Sequence, residues 1–179
     1  MQKEIAVKMI DPKLDRLKFT GDWVDVRTSS ITEINASKEQ VSKCRTLLQK
    51  AQVCPIKAGE SIKIAHGFAL ELPKGHEAIL HPRSSLFKKT GLIFVSSGVI
   101  DEGYKGDTDE WFSVWSAARD TELFYDQRIA QFRIQPKQPE LKFNFVDSLG
   151  NAARGGHGST GDWVDVRTSS ITEINASKG

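Results

Sequence analysis

The sequence is short of cysteine and of long apolar runs. Its 179 residues include two cysteines, Cys44 and Cys54, which are too few for a disulfide framework and lack the spacing of a metal site. They predict free thiols in a reducing compartment and argue against redox chemistry. No apolar run approaches the roughly 20 residues that a membrane span needs, and the first residues, MQKE, lack the pattern of a signal peptide. We therefore expect a cytoplasmic protein that contacts no membrane.

The sequence also has little excess charge of either sign. Lysine and arginine number 25 against 23 for aspartate and glutamate, which leaves a formal net charge of +2. Such a balance produces no overall field that would attract nucleic acid, so we predict no nucleic-acid partner. Any anion must be bound by a local site. With 39% hydrophobic and 27% charged residues, the composition is that of one globular unit.

One segment of the sequence occurs twice. Residues 20–38, TGDWVDVRTSSITEINASK, reappear letter for letter as residues 160–178. Two distant copies do not make a solenoid, and perfect identity is typical of a recent duplication or of an error in the sequence. We expect one domain over residues 1–161, with a glycine-rich arm at 151–161. Residues 162–179, of which 162–178 duplicate 22–38, are expected to be a disordered tail without catalytic effect.

Alternating apolar residues predict β-strands over most of the chain. The alternation involves Ile5, Val7 and Met9, then Ile62 and Ile64, Phe68 and Leu70, and finally Leu141, Phe143 and Phe145. Turn residues, among them the PKG at 73–75, separate such runs, and strands do not alternate with long helices as a parallel sheet would require. The predicted fold is all-β, a sandwich or barrel.

One helix is expected within this β pattern. Residues 37–52 place Val41, Cys44, Leu47, Leu48 and Ala51 at helical spacing. Ser37 and Gln40 match a capping box at its start, and Pro55 is expected to end the helix.

Four short strings supply groups that bind a polyphosphate. Arg83 and Arg154 offer planar sets of donors for phosphate oxygens, and the glycines of 155–161 can expose backbone N–H groups to an anion. Asp101 lies in a turn and can deprotonate a water, while Tyr104 offers a flat face for a sugar or base. Hydroxyl groups come from Ser84, Ser85, Ser159 and Thr160. Taken singly, each has a structural alternative: Arg83 or Arg128 in a salt bridge, Asp101 in a turn, Tyr104 in the core.

In their order along the chain, these strings resemble the motifs of the trimeric dUTPase family, in its Gram-positive and phage branch. GDWVDVR at 21–27 resembles the first motif, PRSSL at 82–86 the second, and GVIDEGYKG at 98–106 the third. RIAQ at 128–131 resembles the fourth motif and RGGHGSTG at 154–161 a shortened fifth. The resemblance implies a jelly-roll-like β-sandwich of the β-clip type with one inserted helix around 37–52. It also implies a homotrimer with active sites at subunit interfaces and Mg²⁺-assisted hydrolysis of dUTP to dUMP and pyrophosphate.

The resemblance further implies roles for individual residues. Asp101 would be the general base, Tyr104 would pack under the deoxyribose, and Asp25 stands at the acidic position of the first motif. Uracil would be read by backbone groups of Gly98, Val99 and Ile100. The phosphates would be held by Arg83, Ser84, Ser85, Gln131, Arg154, Gly156, Ser159 and Thr160. Magnesium would be bound by the triphosphate and by waters, with no direct protein ligand expected.

The chain departs from the family pattern at three places. His157 stands where the fifth motif usually has a phenylalanine that covers the uracil, so we expect His157 or Phe112 to act as the lid, with core packing as the alternative for Phe112. Asp126 and Gln127 replace the usual Gly-Asp before Arg128. The predicted helix is an insertion, which either packs on its own subunit or contacts a regulatory protein.

Two other functions use the same scaffold. A dCTP deaminase needs a carboxylate on the strand after the third motif, and the string WFSVW at 111–115 has none, although Asp109 and Glu110 precede it. A nucleotide-gated binding protein would dock a partner on the inserted helix, but the presence of Asp101 favours an enzyme.

Overall fold

The computed structural model describes residues 4–35, 37–96 and 98–152. The chain divides into two units, Met1–Pro139 and Glu140–Gly179. The duplicate copy at 160–178 and the residues expected to form the fifth motif lie outside the described residues. The predicted boundary after residue 161 therefore stays a prediction.

The first unit is built almost entirely of short strands. In the described part of the chain, thirteen strands and two helices follow one another. Their bounds are β1 Val7–Met9, β2 Phe19–Thr20, β3 Trp23–Arg27, β4 Ser30–Ile34, α1 Lys38–Gln49, β5 Cys54–Ile56, β6 Ser61–Ala65, β7 Phe68–Leu70, β8 His76–Pro82, α2 Leu86–Thr90, β9 Leu92–Phe94, β10 Val99–Ile100, β11 Phe112–Ala117, β12 Thr121–Leu123 and β13 Arg128–Pro136. None of these helices is long and apolar enough to cross a bilayer.

The strands form two larger antiparallel sheets and two small ones. One sheet has the order β10-β8-β13-β3-β2 and the other the order β4-β6-β11-β9, while β1 pairs with β7 and β12 pairs with β5. Buried side chains from both larger sheets join one hydrophobic cluster. Trp111 lies in its middle, with ring centroids 5.1 Å from Phe68 and 4.9 Å from Phe132. The all-β sandwich prediction is confirmed.

Alternation along the strands explains which residues enter this core. In β11, Ser113, Trp115 and Ala117 are buried while the intervening residues face outward, as the two-residue period of a strand requires. β7 differs, because Phe68, Ala69 and Leu70 are all buried.

The inserted helix is confirmed as α1. Ser37 caps it and accepts a hydrogen bond from the Gln40 N–H at 3.1 Å. The helix ends at Gln49, before Pro55 is reached, since Ala51 adopts a left-handed φ of 54° and its N–H donates to the Leu48 carbonyl. Pro55 instead lies inside β5.

The prediction of two free thiols was wrong. Cys44 of α1 and Cys54 of β5 form a disulfide, with their Cα atoms 5.1 Å apart. Both residues are buried, at 2% and 0% exposure. Helical packing brings Cys44 to the sheet at the point where β5 begins, a proximity that sequence spacing does not reveal. The disulfide attaches the inserted helix to its own subunit.

One predicted strand was also wrong, and one short helix was not predicted. Residues 140–152, the described part of the second unit, contain no strand, so the strand predicted at Leu141, Phe143 and Phe145 is not formed there. These three side chains are exposed instead. The short helix α2, directly after the second motif, was not predicted because its five residues are too few for a helical period to be visible.

Candidate active site

Strand β8 organises the predicted site residues. It pairs with β10 on one side and with β13 on the other, and it leads directly into Arg83. The second, third and fourth motifs are therefore arranged around one strand. The first motif joins them because β3 pairs with β13.

Asp25 links the first, second and fourth motifs through one buried carboxylate. Its side chain is 5% exposed and forms ion pairs with Arg83 and with Arg128, the latter at 3.3 Å. The Thr20 hydroxyl donates to the same carboxylate at 2.8 Å. Burial, together with the positive charge of Arg128, lowers the pKa of the Arg83 guanidinium. Two arginines thus share one carboxylate, which leaves one positive charge for an anion.

A cavity of about 250 Å³ adjoins this cluster, and Arg83, Ser85 and Arg128 contribute to its walls. Ser85 occupies the N-cap position of α2, but its side chain makes no capping hydrogen bond, so its hydroxyl can donate to a ligand. Ser84 is exposed and does not line this cavity. The arrangement suits phosphate oxygens.

Gln131 lies in the middle of a cross-strand row. Its register partners are Asp25 on β3 and His81 on β8. The amide nitrogen donates to the Pro82 carbonyl at 3.4 Å, which leaves the amide oxygen as an acceptor for a ligand or a water.

The third motif forms a strand and a tight turn. Gly98 lies so close to β8 that an added Cβ would be 2.1 Å from the Leu80 carbonyl oxygen, so a side chain is excluded there. Val99 and Ile100 then pair with Ile79 and Ala78. In the following turn, the Tyr104 N–H donates to the Asp101 carbonyl at 3.0 Å.

Side-chain hydrogen bonds hold the turn that carries Asp101. Glu102 accepts from the Gly75 N–H at 2.9 Å and from Lys137 at 3.0 Å, and these bonds lower the pKa of the Glu102 carboxyl. The Tyr104 hydroxyl donates to the Glu110 carbonyl at 2.9 Å, and burial raises the pKa of this phenol. Asp101 itself is exposed, so a substrate or a water can reach it.

Within one subunit, Asp101 is remote from the arginine cluster. The β10–β8 register puts Ile100 opposite Ala78 and so brings Asp101 level with Glu77. Arg83 follows at the other end of β8, about 20 Å along an extended strand. The fold of a single chain therefore brings together Asp25, Arg83, Arg128, Ser85 and Gln131, but not Asp101.

Several predicted residues are elsewhere or undescribed. Phe112 is 40% exposed on the outer side of β11, with the Lys63 ammonium 4.1 Å from its ring centroid, so it is not a core residue. Arg154, Gly156, His157, Ser159 and Thr160 lie outside the described residues. No group of three or more His, Cys, Asp or Glu side chains suited to a metal occurs in the part of the chain that the structure describes.

Sequence reasoning missed two members of the cluster. Arg128 belongs to the RIAQ string and was considered only as a structural salt-bridge residue; it does form such a pair, with the same carboxylate that Arg83 uses. Thr20 precedes the first motif, and no sequence signal marks its hydrogen bond to Asp25.

Comparison with known proteins settles the family. The dUTPase family model matches residues 48–161. The chain belongs to the dUTPase family. It is 41% identical over 161 residues to the SPbeta prophage-derived deoxyuridine 5'-triphosphate nucleotidohydrolase YosS of Bacillus subtilis, covering 88% of this dUTPase and 98% of that protein. A deoxyuridine 5'-triphosphate nucleotidohydrolase of Thermobifida fusca is 39% identical over 106 residues, covering 58% of this chain and 59% of the relative.

Solved structures agree on the fold of this dUTPase. Staphylococcus bacteriophage 80alpha dUTPase with dUPNHPP has a TM-score of 0.63 at 19% identity, covering 89% of this chain and 99% of that one. The dUTPase from phage phi11 of S. aureus, described with a structural Mg(II) ion, has a TM-score of 0.60 at 16% identity, covering 82% and 99%. The jelly-roll-like prediction is confirmed.

Family membership decides between the functions considered for the scaffold. The reaction is hydrolysis of dUTP to dUMP and pyrophosphate. Deamination is also disfavoured locally, because both carboxylates before β11 have structural roles: Glu110 accepts from the Gly67 N–H at 2.8 Å, and Asp109 accepts from the Gly106 N–H at 2.7 Å.

Proposed function

We propose that this dUTPase assembles each active site from more than one subunit of a homotrimer, with Asp101 as the general base. The observation that carries the proposal is the separation of about 20 Å between Asp101 and Arg83 along β8. A general base must lie within hydrogen-bond reach, or one water away, of the group that it serves. Symmetry of a closed oligomer can bring the third motif of one subunit to the arginine cluster of the next.

In this mechanism Asp101 accepts a proton from a water as the water oxygen attacks the α-phosphorus. The bond between that phosphorus and the oxygen bridging to the β-phosphate breaks, and pyrophosphate leaves. The hydrogen bonds of Glu102 and Tyr104 keep the turn, and with it Asp101, in one position.

Arg83 and Arg128 hold the phosphates while Asp25 fixes both guanidinium groups in orientation. Ser85 adds a neutral hydrogen bond from the cavity wall, and Ser84 and Gln131 would add theirs from outside it. Arg154 with Gly156, Ser159 and Thr160 would complete the enclosure from the glycine-rich arm. Such preorganised donors stabilise charge that develops on the phosphate oxygens.

Base and sugar are recognised by the third motif. The backbone of Gly98, Val99 and Ile100 would hydrogen-bond uracil, since Gly98 allows the chain to approach closely. The Tyr104 ring would pack under the deoxyribose, where a ribose 2'-hydroxyl would clash. Either Phe112 or His157 would cover the base.

The residues present fit a Mg²⁺ ion that is carried by the triphosphate. The arginines around the cavity attract the anion and repel a bare cation, while the free amide oxygen of Gln131 can accept from metal-bound waters. When bound, Mg²⁺ would neutralise charge on the phosphate oxygens.

A regulatory contact through α1 stays a prediction. The helix buries Cys44 and Leu48 on its own subunit, which accounts for its apolar residues without a partner. Its outward side is polar, so a docked protein would be recognised there by charge and hydrogen bonds.

The first test measures pyrophosphate release from dUTP, with and without Mg²⁺, and with dTTP, dCTP and UTP as controls. We expect Mg²⁺-dependent release from dUTP alone and its loss in Asp101→Asn. A second variant, Arg83→Gln, should also be inactive, because the phosphates lose a charged donor. It should still fold, since Asp25 keeps Arg128 and Thr20 as partners.

Mixing these two variants tests whether sites are shared. After joint refolding at equal amounts, mixed trimers contain one site with an intact Asp101 and an intact Arg83, so about one quarter of the wild-type rate should return. If the mixture stays as inactive as its parents while gel filtration shows mixed trimers, each site lies within one subunit and the proposal is wrong.

A further inference from the structure

The wall of the cavity beside the arginine cluster includes a positively charged side chain, Lys89, that belongs to none of the motifs. The polar residues that line it are Arg83, Ser85, Lys89, Thr90, Gln127 and Arg128. No aspartate or glutamate lines it among the described residues. A space of this composition favours a highly charged anion.

Lys89 is held at this cavity by the short helix α2. Its N–H donates to the Ser85 carbonyl at 3.2 Å, so Lys89 follows Ser85 by one helical turn and lies on the same side of the helix. Leu86 and Thr90 anchor α2, at 4% and 7% exposure. The Thr90 hydroxyl also donates to the Leu86 carbonyl at 2.8 Å.

The charge of Lys89 is available to a ligand. Arg83 and Arg128 share the carboxylate of Asp25, whereas Lys89 forms no ion pair with any residue that the structure describes. Adding Lys89 raises the net charge of this group of side chains from one to two positive charges. A flexible ammonium binds phosphate as a point charge, without the fixed geometry that a guanidinium requires.

Gln127 supports the same conclusion. Its amide oxygen accepts from the Phe124 N–H at 3.0 Å, so its NH₂ group remains to donate. Gln127 and Lys89 also line a neighbouring cavity of about 590 Å³. A carboxylate at position 127 would give Lys89 a counter-ion, but an amide does not.

We propose that Lys89 binds the terminal phosphates of dUTP, the part that leaves as pyrophosphate. In this assignment Arg83 and Arg128, fixed by Asp25, hold the phosphate nearer the sugar. Lys89, which unlike the two arginines also lines the neighbouring cavity, holds the phosphates beyond it. The assignment rests on the proposed active site and extends it by one residue.

The test compares Lys89→Met with a matched control, Lys88→Met, on the same helix. Calorimetry measures the affinity for a nonhydrolysable dUTP analogue and for dUMP. We expect Lys89→Met to bind the triphosphate about tenfold more weakly, as for a lost hydrogen bond to a charged group. Its dUMP affinity should stay within about twofold. Lys88→Met should match the wild type, and Lys89→Arg should recover most of the triphosphate affinity.

Two results would overturn this assignment: unchanged triphosphate affinity in Lys89→Met, or an equal loss for dUMP and the triphosphate. Failure of the active-site proposal has a different signature, since Asp101→Asn would then still hydrolyse dUTP. Because Lys89 is exposed, the Lys89→Met protein should unfold at the same temperature as the wild type. A difference in affinity then reports on binding and not on folding.

Discussion

At the scale of single residues, a buried histidine connects the first motif to the core. His66 is 1% exposed, and its Nδ1 lies 2.8 Å from the Arg27 carbonyl. That carbonyl can only accept, so Nδ1 carries the proton and Nε2 accepts from the Ser113 hydroxyl at 2.8 Å. Ser113 in turn accepts from Trp115. The network is satisfied only while the imidazole is neutral.

This histidine should make stability depend on pH. Burial lowers the pKa of His66 to about 4 from 6.5, so the unfolded chain binds a proton that the folded protein excludes. The contribution of His66 to the free energy of unfolding should be fully present above about pH 6.5. It should fall by about 3 kcal/mol as the pH drops towards 4. His66→Gln should remove this part of the slope, about 1.4 kcal/mol per pH unit.

Urea unfolding of both proteins at one subunit concentration, from pH 4.5 to 7.5, measures the difference. The carboxylates contribute equally to both slopes, so the comparison isolates His66. Parallel stability curves would show that His66 does not titrate on unfolding.

At the scale of elements, the inserted helix α1 is attached to the neighbouring strands by contacts that the sequence motifs do not predict. The disulfide joins the helix to β5 over a sequence separation of 10 residues. Arg45 attaches the helix to β4 as well, since its guanidinium donates to the Ile31 and Thr32 carbonyls at 2.7 and 3.1 Å. An insertion thus becomes part of the subunit.

Reduction of the disulfide should destabilise the subunit by about 2–3 kcal/mol, because closing a loop of this length restricts the unfolded chain. Thermal unfolding with and without dithiothreitol checks this. The double variant Cys44→Ala, Cys54→Ala serves as the control and should not respond to the reductant. Two reactive thiols in the denatured, unreduced wild type would contradict the disulfide.

At the scale of the whole molecule, the exposed apolar segment at 140–146 bears on assembly. Leu141, Phe143 and Phe145 are 54%, 75% and 94% exposed, and they alternate with Lys142 and Asn144 as in a strand that is buried on one face. Large exposed apolar side chains in such a pattern are typical of an interface between chains. The segment therefore favours contact with another chain, which the proposed homotrimer would supply.

Replacing Phe143 and Phe145 together by serine should weaken the proposed trimer by about 3–6 kcal/mol per subunit, the contribution of burying two phenylalanines. Light scattering and dUTP turnover over a dilution series measure this, and activity should be lost as the trimer dissociates. Lys142→Ser with Asn144→Ser, at the intervening polar positions, is the control. Equal dissociation of both variants, or of neither, would exclude these phenylalanines from the interface.

The sequence by itself determined the features that depend on near neighbours. Apolar alternation predicted β1, β6 and β7 as strands. The Ser37 cap and helical spacing predicted α1, and contiguous motif strings identified the dUTPase family. These signals are local because backbone geometry and motif chemistry act over a few residues.

Only the tertiary structure decided which distant groups meet. Asp25 pairs with Arg83 and Arg128 across 58 and 103 residues of sequence, and Cys44 meets Cys54 because α1 packs on β5. The separation of Asp101 from Arg83 follows from the β10–β8 register. Strand register and helix docking depend on how the whole core packs, and no short stretch of sequence contains that information.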